Sequence, residues 1–419
     1  MRRSLRIFLL GVAVAAISLN YGCSHVTSPG DGKVNPPVTQ VEKQVESANN
    51  SFAANLFTQV AVQEKGKNFF ISPLSVSMAL AMTLNGADGQ TYTDMQKTLG
   101  LDGLSNSDIN QSYQYLMTMF ANLDPGVTFT IANSIWYRNT FPVLSSFIEV
   151  DSTYFDSDVK PLNFNDPSAA GVINSWVSNK THGKIPDIIT PPIDPSVIMY
   201  LINALYFNGN WKYIFDSTKT KPYPFYLSDG STESDSMMVM RDSLNYYFDA
   251  NFQVVELPYG DGDYSMLVLL PVNSTSTNVF ASLNQTEINS IIRGLSPQDV
   301  QLTLPKFNVQ YGTSLKDVLS QMGMGSAFAG NADFTRISPA GGLAISDVLH
   351  KTYIDVNEKG TVAAAVTVVI IYDTVVEPIH SGPILFNVNR PFLFLMKENH
   401  NNTIMFMGAI NQPSVHISE

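Results

Sequence analysis

Cysteine is almost absent: the 419 residues contain one, Cys23, so no disulfide can form within the chain and its stability must come from a packed core. Histidine is scarce as well. The six, His25, His182, His350, His380, His400 and His416, are scattered, with none at the spacing of a zinc site. There is no glycine-rich phosphate loop with a following lysine and no Gly-x-Ser-x-Gly elbow. The spacing of Asp, His and Ser residues marks no triad, and Asp261, Gly262 and Asp263 read as the acidic tip of a hairpin rather than a calcium loop. The sequence therefore points to no enzyme, no metal and no cofactor. Charged residues make up only 14 % of the chain and aromatics 11 %, which suits a large packed core and not disorder.

Basic residues are outnumbered, 24 against 36 acidic ones, for a net charge of −12. Arg2, Arg3 and Arg6 precede an uncharged apolar run over residues 7–19, an export signal too short to span a membrane as a mature helix. Removing residues 1–22 as a signal peptide takes those three arginines and no acids, leaving 21 basic against 36 acidic residues and a charge of −15. Nucleic acid is thereby excluded as a partner. Cys23, directly after Gly22, resembles the lipid-modified cysteine of bacterial lipoproteins, although Asn20 stands where those signals usually carry leucine. The expectation is a protein exported to the cell envelope and lipid-anchored to the membrane through Cys23, with simple secretion as the alternative. Residues 23–45, with Pro29, Gly30, Gly32, Pro36 and Pro37 and no apolar periodicity, read as a tether.

The rest, 46–419, has no second linker and no internal repeat, although its length alone would suggest two or three domains. Phe52, Leu56, Phe57 and Val60 recur at helical spacing. Ser72, Pro73, Leu74 and Ser75 read as a helix start. Leu349, Thr352, Ile354 and Val356 predict a strand. After Asn357, Glu358, Lys359 and Gly360 comes an uncharged run from Thr361 to Tyr372. In β alternation one face carries Thr361, Ala363, Ala365, Thr367, Val369 and Ile371, and the other face is apolar too. Read alone, this is a central strand covered on both sides. Gly360 and the three alanines pack weakly for that purpose, and small residues suit a segment that must slide into a gap.

Glu358, Lys359, Gly360, Thr361, Ala363, Ala364 and Ala365 resemble the hinge of the serpins, with His350 and Lys351 opening the preceding strand. Val362 departs from the glutamate usual in inhibitory members. Further resemblances follow along the chain and cover 46–413: Ser72 and Ser75 with Asn203 and His350 as the shutter beneath the main sheet; Asn203 to Trp211 as the strand end at the breach, where insertion begins; Lys306 as the partner of Glu358; Ile173 to Ile185 as the helix lying across the sheet; and Arg390 to Met396 with Met405 to Gly408 as the last buried strands. The resemblance implies one α+β domain over 46–419, with a large mixed main sheet, two further sheets, about eight or nine helices and an exposed reactive loop near the C-terminus. It also implies a suicide-substrate inhibitor whose partner is a target serine protease held as a covalent acyl-enzyme; a monomer is expected. A non-inhibitory serpin-like binding protein of the cell envelope is the alternative. Family spacing counted from Gly360 sets the reactive bond between Thr374 and Val375, with Ile371 and Val376 as neighbouring alternatives. Between Lys359 and Arg390 there is no lysine or arginine, so a trypsin-like pocket has nothing to grip. Val369, Ile370, Ile371, Thr374, Val375 and Val376 suit the small apolar pocket of elastase-like enzymes.

Overall fold

Thr39 opens the folded chain. Its hydroxyl accepts the N–H of Glu42 at 3.1 Å while the Glu42 carboxylate accepts the N–H of Thr39 at 2.6 Å, a reciprocal cap that starts helix α1 (Gln40–Gln63). The expected tether over 23–45 therefore ends sooner than its composition suggested. Residues from Gln40 onward are helical, and Val45 and Glu46 are already buried. A computed structural model describes residues 38–272, 277–361 and 382–413, all within the unit Val38–Glu419.

Nine α-helices occur among the described residues: α1, α2 (Pro73–Leu84), α3 (Gly89–Thr98), α4 (Asn106–Asn122), α5 (Ser145–Phe155), α6 (Ala169–Lys180), α7 (Gln285–Gly294), α8 (Lys316–Leu319) and α9 (Gly325–Phe328). Helix α2 forms where the sequence requires it to: Ser72 caps it by accepting the N–H of Ser75, and Pro73 sits at its first position, where no N–H is needed. Nearly all of α2 is buried.

The strands are β1 (Phe69–Ile71), β2 (Val127–Arg138), β3 (Asp158–Leu162), β4 (Met199–Asn210), β5 (Lys221–Tyr226), β6 (Thr232–Phe248), β7 (Phe252–Tyr259), β8 (Tyr264–Pro271), β9 (Ser296–Pro305), β10 (Phe307–Ser314), β11 (Leu349–Asn357), β12 (Gly360–Thr361), β13 (Ile384–Asn387), β14 (Phe392–Glu398) and β15 (Ile404–Ile410). The mixed main sheet has six, in the order β10-β11-β12-β4-β2-β3, with only β2 and β3 parallel. The other nine form one hydrogen-bonded assembly, because β6 is long enough to pair with β5, β7 and β9 and so joins the two further sheets implied by the resemblance. Strands β8, β14 and β15 are buried along their whole length, as largely apolar strands covered on both faces are, with Lys397 and Glu398 buried at the end of β14.

Burial alternates along β11: His350, Thr352, Ile354 and Val356 face inward and their neighbours do not. Helix α6 covers the outer face of the main sheet, where Ile173 and Val177 share a second core cluster with Trp136, Ile185 and Ile202. The main sheet thus lies between the large core and α6.

Candidate functional site

The hinge enters the main sheet as β12. Gly360 pairs with Asn357 on β11 and with Asn210 on β4, and Thr361 pairs with Val356 and Gly209. Only glycine fits at 360: its φ is +156°, and a Cβ there would lie 2.1 Å from the Gly209 oxygen and 2.7 Å from Asn210 Cα. Thr361 is 2 % exposed, and its Oγ1 lies 2.7 Å from the Tyr259 hydroxyl. Tyr259 in turn stacks on Trp211, with ring centroids 4.4 Å apart and 18° between planes. Trp211 Nε1 donates to the Asn357 oxygen at 2.9 Å, and the Trp211 N–H to the Lys359 oxygen at 2.8 Å. One buried tryptophan, through its indole and its backbone N–H, thus fixes both ends of the turn before the hinge.

Glu358 anchors that turn from the side. Its carboxylate meets Lys306 Nζ at 3.0 Å and accepts from Thr220 Oγ1 at 2.9 Å. Burial pushes the Glu358 pKa up, but its own backbone N–H, Lys306 and Thr220 outweigh that and hold it below the usual value. With Glu358 14 % and Lys306 41 % exposed, the pair is only half open to solvent.

Beyond Thr361 the two borders of the hinge part. Among the described residues β4 and β11 pair with β12 but nowhere with each other. Between them lies a narrow cleft walled by Leu205 and Phe207 of β4 and by Thr352 and Ile354 of β11. A second, wider cleft continues along Met199 to Ala204 and Leu349 to Lys351 and shares Ser75, Asn203 and His350 with the first. Because β12 fills the top as a single strand bonded on both sides, the slot below it is one strand wide.

A hydrogen-bonded cluster crosses the floor of this slot. Ser72 N donates to His350 Nε2 at 3.0 Å, Ser72 Oγ to the Met405 oxygen at 2.9 Å and Ser75 Oγ to the Asn203 oxygen at 3.4 Å. Asn203 Nδ2 donates to Asn133 Oδ1 at 2.7 Å, and Asn133 Nδ2 to the Phe155 oxygen at 2.6 Å. The Thr352 hydroxyl donates to the Phe70 oxygen. His350 is fully enclosed, which pushes its pKa down to about 4, and a neutral ring is what accepting from Ser72 requires.

Over the slot runs the segment after α6. The His182 ring lies 4.4 Å from that of Tyr206 on β4. Lys184 Nζ sits 4.8 Å above the Tyr353 ring on β11, and Asp187 pairs with Lys351 of β11 at 2.7 Å. A strap therefore grips both walls.

A family model described as Serpin (serine protease inhibitor) matches residues 47–413. The chain belongs to the serpin family. It is 33 % identical over 382 residues to Iripin-8 of Ixodes ricinus, covering 89 % of this chain and 95 % of that one. To the leukocyte elastase inhibitor of Xenopus laevis it is 33 % identical over 383 residues, covering 88 % and 100 %. The crystal structure of Tengpin, a thermophilic serpin in the native state, superposes with a TM-score of 0.80 at 33 % identity, covering 90 % of this chain and 95 % of Tengpin. The architecture described above is accordingly the serpin fold.

The structure brings together every site residue expected of the breach and shutter: Trp211, Lys306, Glu358, Gly360 and Thr361 in one group, and Ser72, Ser75, Asn203 and His350 in the other. Ala363, Ala364, Ala365, Thr374, Val375 and Cys23 lie outside the described residues. Sequence reasoning missed Tyr259 and Thr220 at the hinge, Asn133 in the shutter and Asp187 of the strap; His182 and Lys184 fall in the stretch expected as the helix across the sheet, although that helix ends at Lys180. The one available signal was a tyrosine between Pro258 and Gly260 at a strand end.

Proposed function

We propose that this serpin is a suicide-substrate inhibitor of serine proteases with elastase-like targets. The observation that carries this reading is the one-strand-wide slot between β4 and β11, already entered by Gly360 and Thr361. A target protease attacks the chain beyond the hinge. Its serine oxygen bonds to the scissile carbonyl, the peptide bond breaks, and the new amine leaves with a proton. The ester-linked loop then adds to the main sheet as a strand, a mode of strand addition of which serpin loops are a standing example. The dragged protease loses the alignment deacylation needs, since a misplacement of about 1 Å can slow a reaction about 100-fold.

The sequence beyond the hinge suits that slot. If the pairing of β12 continues, Ala363 comes beside Phe207 and Ile354, Ala365 beside Leu205 and Thr352, and Thr367 beside Asn203 and His350, all on the face that Thr361 turns inward. Small side chains thus meet the apolar walls, and the one hydroxyl meets the polar cluster. There the buried Asn203 Oδ1 has no hydrogen-bond partner among the described residues, and the Thr367 hydroxyl supplies one.

The reactive bond of this proposal is Thr374 to Val375, and the lack of lysine and arginine between Lys359 and Arg390 selects against trypsin-like enzymes. Export with acyl anchoring through Cys23 completes it, on the strength of the arginine-led apolar run and the cysteine that follows. The test is incubation with a panel of serine proteases. Complexes that survive denaturing gels are expected with elastase-like enzymes and not with trypsin, with cleavage mapped by mass spectrometry at or beside Thr374. Strong trypsin inhibition would overturn the specificity. Failure to form such a complex with any enzyme would favour a non-inhibitory binding protein.

A further inference from the structure

We infer that Tyr259 is a positioning residue for the hinge: its hydroxyl selects a hydroxyl-bearing side chain at position 361 and fixes the register in which the hinge enters the main sheet. The consequence for inhibition rests on the reading above, but the pairing itself does not.

Tyr259 ends β7, a strand of the other sheet, and is fully buried. Its ring is held on one side by the stacked Trp211 and on another by the edge-on Phe207, with centroids 4.9 Å apart. Gly209 completes the enclosure, since a Cβ there would lie 3.2 Å from the Tyr259 ring. A ring so confined presents its hydroxyl in one direction, and in that direction stands Thr361 Oγ1 at 2.7 Å. Buried phenol hydroxyls find partners, and Thr361 is the one side-chain partner that Tyr259 has among the described residues. Withdrawal of β12 leaves that buried hydroxyl without its side-chain partner. Its need for a partner therefore draws the hinge into the sheet.

The same contact discriminates register. A slip of one residue would bring Gly360 or Val362 to Tyr259, neither of which carries a hydroxyl, and would turn Thr361 to the outer face. Apolar side chains alone would tolerate such a slip, because both faces of the following run are apolar. The hydroxyl pair, together with the close approach that admits only glycine at 360, distinguishes one alignment from the next at the first step.

The experiment compares the full chain with Tyr259→Phe, Thr361→Val, Thr361→Ser and the Tyr259→Phe/Thr361→Val double variant. Amide hydrogen exchange of the peptide over 357–361 is read without protease, and stoichiometry of inhibition is read against an elastase-like enzyme. Loss of one hydrogen bond that leaves a buried partner unsatisfied should raise hinge exchange about fivefold in each of Tyr259→Phe and Thr361→Val. Thr361→Ser should match the parent, and the double variant should be no worse than either single one, because both partners are then gone. Stoichiometry should rise in the same variants. Unchanged hinge exchange in Thr361→Val, or single effects that multiply in the double variant, would overturn the proposal. Thr361→Val and Thr361→Ser keep it testable even if Tyr259→Phe folds poorly. Because exchange is read without protease, a chain that inhibits nothing but shows the exchange pattern would sustain the pairing while refuting the inhibitory reading.

Discussion

The Nε2 atom of His350 accepts the backbone N–H of Ser72 at 3.0 Å, tying β11, one wall of the slot, to the cap of α2 beneath the main sheet. An imidazolium has no lone pair to offer at that nitrogen. The tie therefore exists only while the ring is neutral, and insertion of a strand beside β11 must occur next to it.

Acid should loosen this tie. The unfolded chain protonates His350 near its ordinary value of 6.5, whereas burial holds the folded value at about 4. Stability is thus complete above pH 6.5 and is lost as pH falls toward 4, by about 3 kcal/mol in all. Glu46 acts in the opposite sense: burial, then the charge of Glu398, raises its pKa from 4.5 to about 7, so stability falls as pH rises through that window. His350→Gln should flatten the acid limb. Glu46→Gln keeps the oxygen that accepts from Asn401 and should gain about 1 kcal/mol near pH 8, after allowance for solvent screening. Urea unfolding across this pH range checks both, and an unchanged acid limb in His350→Gln would contradict the assignment.

Thr361→Arg should fold and yet fail to inhibit. Position 361 is 2 % exposed in the sheet, and an unpaired charge there costs several kcal/mol, so the hinge would stay out. The variant should be cleaved as a substrate and released. Covalent complexes at the parent's stoichiometry would contradict the role of the hinge.

Lys184→Ala combined with Asp187→Ala removes both holds of the strap on β11. A cation–π contact and a largely exposed ion pair together contribute about 1 kcal/mol. Loop insertion after cleavage, followed by fluorescence, should be about fivefold faster, with little change in the urea midpoint of the uncleaved protein. Unchanged or slower insertion would show that the strap does not restrain the slot.

Cys23→Ser should move the protein from the membrane fraction to the soluble one and leave inhibition in solution unaltered, since several acyl chains on one cysteine are what stable anchoring requires. Parent protein found soluble, with Cys23 unmodified by mass spectrometry, would refute anchoring and favour secretion.

Much of this site was legible because its signals are local. Ser72 and Pro73 announce a helix cap and Leu349 to Val356 an alternating strand, and both are found as read, while Gly360 and Thr361 of the expected hinge pair into the main sheet. What stayed hidden depends on distant pairing. Tyr259 reads as part of a hairpin end until β7 carries it under Gly209, and Asn133 gives no sign that β2 will set it against Asn203. Of the strap, His182 and Lys184 lie in the stretch expected as the helix across the main sheet, but that helix ends at Lys180, and no local signal says which strand residues the segment after it will meet. Thr39 and Glu42 stand close behind Pro36 and Pro37, so a cap at the end of a proline-rich stretch reads as more tether.

The central claim is that the slot between β4 and β11 takes up the loop once the loop is cut. It is tested most directly by the melting temperature before and after cleavage near Thr374 with a protease that nicks but is not trapped. Insertion adds a fully bonded central strand, so the cleaved protein should melt about 10 °C or more above the intact one. An equal or lower melting temperature after cleavage would mean that the slot receives nothing, and the inhibitory account would fall.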